Sequence, residues 1–201
     1  RMGLDSFAEN RKAAYSVAVK ACQREGISVA AKCGAEVHFT PALPFLDLST
    51  LCFAGTHYIL VELPTNVHPA GIEETLYSIL QRGYTPILAH VERFPYVTEN
   101  PALLYNWVSM GCLAQVNANA FLRGGETAKA VHRYVKWNLV HLMASDAHSI
   151  KRRPPNLKDG HAALPADLSE YFMRNGEAVF FDREPSLPEP IEPKKLFGLW
   201  K

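Results

Sequence analysis

No part of the chain approaches the ~18 uninterrupted apolar residues that a membrane-crossing helix needs, and its start lacks the pattern of a signal peptide. An integral membrane protein is therefore not expected. The four cysteines, Cys22, Cys33, Cys52 and Cys112, are too few and too scattered for a disulfide scaffold, and no C-x-x-C pair suggests structural zinc. Reduced thiols in a cytoplasmic protein fit this usage best. Charge of one sign is also scarce: 21 basic against 20 acidic residues leave a formal net charge of +1, which provides no footprint for a polyanion, so nucleic acid is not an expected partner. Gly (12) and Pro (14) stand near their ordinary share of roughly 12%, which excludes low complexity for the chain as a whole. What is present is a 201-residue chain, 48% hydrophobic and 20% charged, able to bury one sizeable core.

Along residues 9–25 the residues Ala14, Val17, Ala18 and Ala21 recur at spacings of three and four before Gly26, which predicts one amphipathic helix. Short apolar runs follow at 27–39, 58–63, 86–91, 112–116 and 139–145, each fitting a strand buried on both faces. Helical stretches lie between them. Residues 72–82 end at Gly83, residues 101–110 open on proline and end at Gly111, and residues 127–137 follow Gly124-Gly125. Strand alternating with helix at this period predicts an α/β architecture with a parallel sheet or barrel. One main domain over 1–184 and a Pro-rich tail over 185–201 are expected. In the tail, Pro185, Pro188, Pro190 and Pro193 favour extended backbone, and Leu196, Phe197 and Trp200 offer apolar groups that could dock on the body.

Acidic and histidine residues recur at the ends of these apolar runs: Glu36, Glu62, His90, and Asp146 with His148. In parallel α/β folds the C-terminal strand ends carry the active site. Singly, each has a plain structural explanation: Asp146 as a helix cap, Glu62 as a strand end in water, His90 as a hydrogen-bonded core histidine. Together, carboxylates and imidazoles at four strand ends are most simply neutralised by bound cations. Oxygen and nitrogen donors without sulfur suit Mn, Mg, Fe or Zn. If the last strand persists, Asp146 and His148, two residues apart, point to one side. Arg93 stands three residues after His90, and Lys151-Arg152-Arg153 three after His148; guanidinium forks match phosphate oxygens in two-point contacts. A surface ion pair or solvated loop is the plain alternative for these basic groups. Beside metal candidates they make phosphoester hydrolysis the leading reaction class.

Absences narrow the chemistry further. Six residues after each cysteine stand Ser28, Phe39, Tyr58 and Ala118, so no C-x5-R loop supports a cysteinyl-phosphate route. The chain also lacks a G-x-S-x-G elbow, an H-E-x-x-H helix and a Walker loop, which leaves water activated by a metal.

The blocks Gly34-Ala35-Glu36-Val37, Leu60-Val61-Glu62-Leu63-Pro64, Pro86-Ile87-Leu88-Ala89-His90-Val91-Glu92-Arg93, Met110-Gly111-Cys112-Leu113-Ala114-Gln115-Val116-Asn117 and Ala144-Ser145-Asp146-Ala147-His148, with Arg153-Pro154-Pro155 beyond, occur in that order. Their combination resembles the CpsB/YwqE-type bacterial protein-tyrosine phosphatases of the polymerase and histidinol phosphatase (PHP) superfamily. The resemblance implies a distorted (β/α)7 barrel holding up to three metal ions, usually manganese. It also implies hydrolysis of phosphotyrosine on the tail of a bacterial tyrosine kinase that controls capsule or exopolysaccharide synthesis. By position, Glu36 would bridge two metals, with Glu62, His90, Asp146 and His148 as further ligands. Arg93 and Arg153 would hold the substrate phosphate, with Arg152 the adjacent candidate.

That family also uses an H-x-H pair at its first strand and a later His-His element, and neither occurs in this sequence. The chain opens on Arg1 and enters a helical pattern almost at once, resembling the family just after the His-His element. A barrel lacking its N-terminal segment, with an incomplete metal set, is therefore expected; Met2 as the natural start behind an added residue is the alternative. Two other functions are compatible with the residues. One is a small-molecule phosphatase of the same superfamily, of the histidinol-phosphate type. The other is a non-catalytic remnant that binds a partner.

Overall fold

The computed structural model describes residues 3–196 and 199–200. Arg1, Met2, Phe197 and the Leu196 side chain, on which expectations about the start and the tail fell, lie outside the described residues. In chain order the elements are α1 (Leu4–Arg24), β1 (Glu36–His38), β2 (Tyr58–Glu62), α2 (Ile72–Gln81), β3 (Thr85–Leu88), α3 (Pro95–Glu99), α4 (Ala102–Met110), β4 (Leu113–Asn117), α5 (Asn119–Leu122), α6 (Glu126–Lys136), β5 (Leu142–Ala144), α7 (Leu157–Ala162), α8 (Ala166–Phe180), β6 (Lys195–Leu196) and β7 (Leu199–Trp200). Single 3-10 turns lie at Leu43–Phe45, Leu48–Thr50 and Val91–Arg93.

Strands β1 to β5 form one sheet in sequential order, every neighbouring pair parallel. Sequential parallel order requires each of the four connections to cross over the sheet; α2, α4 and α6 lie in the last three, and the first, between β1 and β2, carries two 3-10 turns. In α2, Ile72, Thr75, Leu76 and Ile79 are buried, a stripe at helical spacing turned to the sheet, while Glu73 and Glu74 occupy the first turn, where the helix dipole favours negative charge. Trp107 of α4 is fully buried and donates its indole N–H to Glu73 at 3.0 Å, which ties the two crossings together. Strand β4 is buried along its whole length, as a central strand covered on both faces must be. The arrangement is α/β with a parallel sheet, as expected, and five consecutive parallel strands are consistent with the expected barrel. Among the described residues the sheet stays open, with β1 and β5 at its edges.

Two local expectations fail. The run at 27–39 yields a strand only at Glu36–His38, and Ile27 and Val29 are exposed. A strand needs a partner along its length, and β1 has one only where residues 36–38 lie beside residues 60–62 of β2. The apolar stripe expected on α1 is likewise uncovered: Ala14, Val17 and Ala18 are exposed, and no residue of α1 is fully buried. The helix leans on the body through Leu4, Phe7 and an Arg11 guanidinium donating to the Thr50 carbonyl at 2.6 Å. No helix among the described residues is long and apolar enough to cross a membrane.

The Pro-rich segment touches the body at several points. Asn138 donates to the Glu189 carbonyl at 2.8 Å, Ile191 N–H donates to the Trp137 carbonyl at 2.8 Å, and Trp200 donates its indole N–H to the Glu99 carbonyl at 3.0 Å.

Helix α7 approaches the end of the sheet so closely that a Cβ on Gly160 would lie 2.7 Å from Ala118 Cβ and 3.3 Å from Ala118 Cα. A Gly→Ala change inside a helix ordinarily stabilises by up to about 1 kcal/mol. Here the clash with rigid atoms reverses the sign, and Gly160→Ala is expected to destabilise by about 1–3 kcal/mol. Urea unfolding of the variant beside the parent checks this; equal or greater stability of the variant contradicts the contact.

Candidate metal centre

The five candidate ligands meet at one end of the sheet. Glu36 opens β1 and Glu62 closes the neighbouring β2. His90 lies two residues beyond β3 and Asp146 two beyond β5. Both adopt left-handed backbone, with φ of 36° for His90 and 50° for Asp146. Few side chains tolerate that region, and His and Asp are among those found there most often. The turn at Asp146 also corrects an expectation: β5 stops at Ala144, so Asp146 and His148 are brought together by a kinked loop and not by strand alternation.

His90 is only 3% exposed, and its Nε2 lies 2.9 Å from Glu36 Oε1 and 3.4 Å from Glu62 Oε1. His148 Nδ1 lies 3.2 Å from Asp146 Oδ1. Two sets of donor atoms, Glu36/Glu62/His90 and Glu36/Asp146/His148, each converge within 4.8 Å, and Glu36 belongs to both. Three carboxylates held this close repel one another unless positive charge lies between or beside them. The imidazoles and carboxylates are the donor types that bind Mn, Mg, Fe or Zn, so the residues fit divalent ions. Glu36, as the shared member, has the position of a bridging ligand.

A chain of hydrogen bonds links the two sets. The His90 backbone N–H donates to Gln115 Oε1 at 2.8 Å, Gln115 Nε2 donates to Asn117 Oδ1 at 3.1 Å, and Asn117 Nδ2 donates to Asp146 Oδ2 at 3.2 Å. The same Asp146 oxygen accepts from Arg153 at 2.7 Å and from Arg93 at 3.2 Å. With Oδ2 taking three donors, Oδ1 is the oxygen turned to His148. Ser149 Oγ accepts from the backbone N–H groups of Arg152 and Arg153 at 2.9 and 3.2 Å, which fixes the loop that presents them. Both expected phosphate-holding arginines thus stand against the candidate ligands. Arg152 lines the adjoining cavity beside them.

That cavity, of about 770 Å³, opens beside Asp146 and is lined by Arg93, Arg123, Arg152 and Arg153 together with Glu92 and Asn117. Glu92 is 7% exposed; its Oε1 accepts the Asn117 N–H at 3.2 Å, and its Oε2 has no hydrogen-bond partner among the described residues. Burial pushes its carboxyl up to about 7, against the opposing pull of backbone N–H groups and of Arg93. Gln115, Asn117 and Glu92 were not singled out as site residues from the sequence. The available signal for the first two was a polar residue at every second position of an otherwise apolar strand.

Because the folded-state value of Glu92 lies above its ordinary 4.5, its contribution to stability is fully present below about pH 4.5 and is lost as pH rises through about 7. Glu92→Gln, which cannot ionise, is expected to gain on the parent by the order of 2–3 kcal/mol between pH 4.5 and pH 8. Denaturant melts at the two pH values measure this, and a stability difference that does not change with pH refutes it.

Over residues 2–180 the sequence matches the family described as capsular polysaccharide synthesis, CpsB/CapC. The tyrosine-protein phosphatase YwqE of Bacillus subtilis is 35% identical over 164 residues, covering 75% of this chain and 62% of that protein. The tyrosine-protein phosphatase CpsB of Streptococcus pneumoniae is 27% identical over 158 residues, covering 74% of this chain and 64% of that protein. The chain therefore spans about three-fifths of the length of these curated relatives. A solved structure from work on YwqE of B. subtilis and CpsB of S. pneumoniae, described as unique metal-dependent tyrosine phosphatases, matches with a TM-score of 0.83 at 27% identity, over 92% of this chain and 78% of that one. With the family match running through both clusters of acidic and histidine residues, the chain belongs to the CpsB/CapC family of capsular polysaccharide synthesis proteins.

Proposed function

We propose that this chain carries the catalytic face of a metal-dependent protein-tyrosine phosphatase. Its substrate would be phosphotyrosine on the tail of a bacterial tyrosine kinase, and its action would regulate capsule or exopolysaccharide synthesis from the cytoplasm. The observation that carries the reading is the convergence of Glu36, Glu62, His90, Asp146 and His148 beside a carboxylate that already gathers two arginines. Glu36, Glu62 and His90 would hold one divalent ion and Glu36, Asp146 and His148 another, with manganese the favoured metal. When bound, such ions supply an acidified water at neutral pH and positive charge for the phosphoryl oxygens.

The chain's own residues do the rest. Arg93 and Arg153 grip phosphoryl oxygens through two-point contacts and offset the charge that collects there as the ester bond breaks. Asn117 and Gln115 keep Asp146 and the His90 backbone in register, so that both sets of ligands face the same substrate. A tyrosine phenolate leaves with a pKa near ~10 and needs less protonation than an alkyl alcohol, so no dedicated general acid is required for it. The relatives described as tyrosine phosphatases, and the metal dependence described for two of them, support this assignment.

The full-length protein is expected to hydrolyse a phosphotyrosine peptide with added Mn2+, to lose that activity on chelation, and to turn over an alkyl phosphomonoester more slowly. Removing the shared ligand by Glu36→Ala is expected to lower both Mn2+ affinity, by calorimetry, and turnover by at least the order of 100-fold. Activity indifferent to chelation and to Glu36→Ala refutes the proposal. Asn117→Ala, which breaks the link between the two sets, is expected to weaken Mn2+ binding by about 10- to 100-fold with an unchanged circular dichroism spectrum; undiminished affinity would show that the link does not position the ligands.

A further inference from the structure

The cavity beside Asp146, at about 770 Å³, falls in the range that takes a whole drug-sized ligand, roughly 300–1,000 Å³. A phosphorylated phenyl ring held between Arg93 and Arg153 leaves much of that space for its neighbours in a peptide. Two of the four arginines that line it, Arg123 and Arg152, make no ion pair with the candidate ligands among the described residues. Arg93 and Arg153 both rest on Asp146, whereas Arg123 and Arg152 are exposed and form no ion pair among the described residues. Glu99 also lines the cavity, without pairing to either.

The guanidinium groups of Arg123 and Arg152 are carried by backbone that is held in place. Arg123 follows α5, and its N–H donates to the Asn119 carbonyl at 3.0 Å. The Asn119 side chain in turn accepts from Asn156 Nδ2 at 2.8 Å, which binds the start of α5 to the segment just after Arg152 and Arg153. The Arg152 N–H is fixed on Ser149 Oγ. Arg123 and Arg152 therefore line the same cavity as Arg93 and Arg153, on backbone segments joined through Asn119 and Asn156.

We infer that Arg123 and Arg152 form a specificity subsite that takes an acidic side chain flanking the phosphotyrosine, so that the preferred substrate is an acidic phosphopeptide. The inference rests on the phosphatase reading above and extends it from the phosphate to the sequence around it. A carboxylate matches a guanidinium fork in two-point contact, and because both arginines are exposed that attraction is sensitive to salt. The near-zero net charge of the chain confines this attraction to the depression itself, which suits a short acidic segment and not a long polyanion.

The test uses the full-length protein and peptides bearing a non-hydrolysable difluorophosphonate mimic of phosphotyrosine, flanked by Asp, Ala or Lys, with binding followed by fluorescence anisotropy at low and high salt. Acidic flanks are expected to bind about threefold to tenfold tighter than Ala flanks at low salt, with Lys flanks weakest and the spread narrowing at high salt. The ratio of acidic to neutral affinity is expected to fall toward one in Arg123→Gln and in Arg152→Gln, while Arg174→Gln, on α8 and outside the cavity, keeps it. Equal binding of all three flanks, or a preference that survives the Arg123→Gln/Arg152→Gln double variant, overturns the subsite. Hydrolysis of p-nitrophenyl phosphate measured in parallel separates the two readings. Metal-dependent turnover with no flank preference rejects the subsite alone; a flank preference identical for peptides with unmodified tyrosine, with no turnover, rejects the phosphatase reading on which it rests.

Discussion

A single oxygen, Asp146 Oδ2, ties this end of the molecule together. It accepts from Arg153, Arg93 and Asn117, and through Asn117 and Gln115 it is linked to the backbone N–H of His90. The sheet end gathers three carboxylates within reach of two imidazoles, an arrangement that water would ordinarily keep apart. What makes it tolerable is that the charges are not left alone. Arginines stand against Asp146, His90 stands against Glu36 and Glu62, and the buried amides of β4 spend their hydrogen bonds on holding the two sets in register. Gln115 and Asn117 would each cost about 1–3 kcal/mol in a covered strand if their polar groups were unmatched, so the link supports the core as well as the site.

Parallel topology places that constraint where it can be used. Every strand of the five-stranded sheet runs the same way, so the loops after β2, β3, β4 and β5 open on one side and meet Glu36 from β1 there. The crossing helices cover the faces and leave the end free. Glu92 marks the boundary between core and site: it hangs from the turn after β3, is buried enough to hold its proton near neutrality, and still borders the cavity. The close approach of α7 at Gly160 and the Asn156–Asn119 bond then bring the arginine loop against α5.

Much of this was legible from residue order. Each of the apolar runs at 58–63, 86–91, 112–116 and 139–145 holds a strand, close to full length at Tyr58–Glu62 and Leu113–Asn117 but shortened to Thr85–Leu88 and Leu142–Ala144, because a strand covered on both faces reads as a continuous apolar stretch. Helices α2, α4 and α6 announced themselves by glycine and proline at their boundaries. The run at 27–39 misled, because apolar content alone supplies no neighbour to bond with, and β1 pairs over residues 36–38 only. Helix α8 was not anticipated. The spacing of Asp146 and His148 would put them on one side of a strand only if the strand persisted; it stops at Ala144, and the left-handed turn at Asp146 is what aims them. Glu92 carries no sequence signal of its burial beyond its place between His90 and Arg93.

Sequence alone determined the residue types at the strand ends, the alternation of strand and helix, and the lack of any cysteine or serine nucleophile motif, because these depend on local order and side-chain chemistry. Tertiary structure decided which donors converge within 4.8 Å, that Glu36 belongs to both sets, that Arg93 and Arg153 meet on one carboxylate oxygen while Arg123 and Arg152 form no ion pair among the described residues, and that a buried amide chain joins the whole. Those outcomes are set by distances of about 3 Å between residues as far apart in the chain as 36 and 90 or 93 and 146. Only the packing of the intervening helices fixes such distances, and no short-range pattern encodes them.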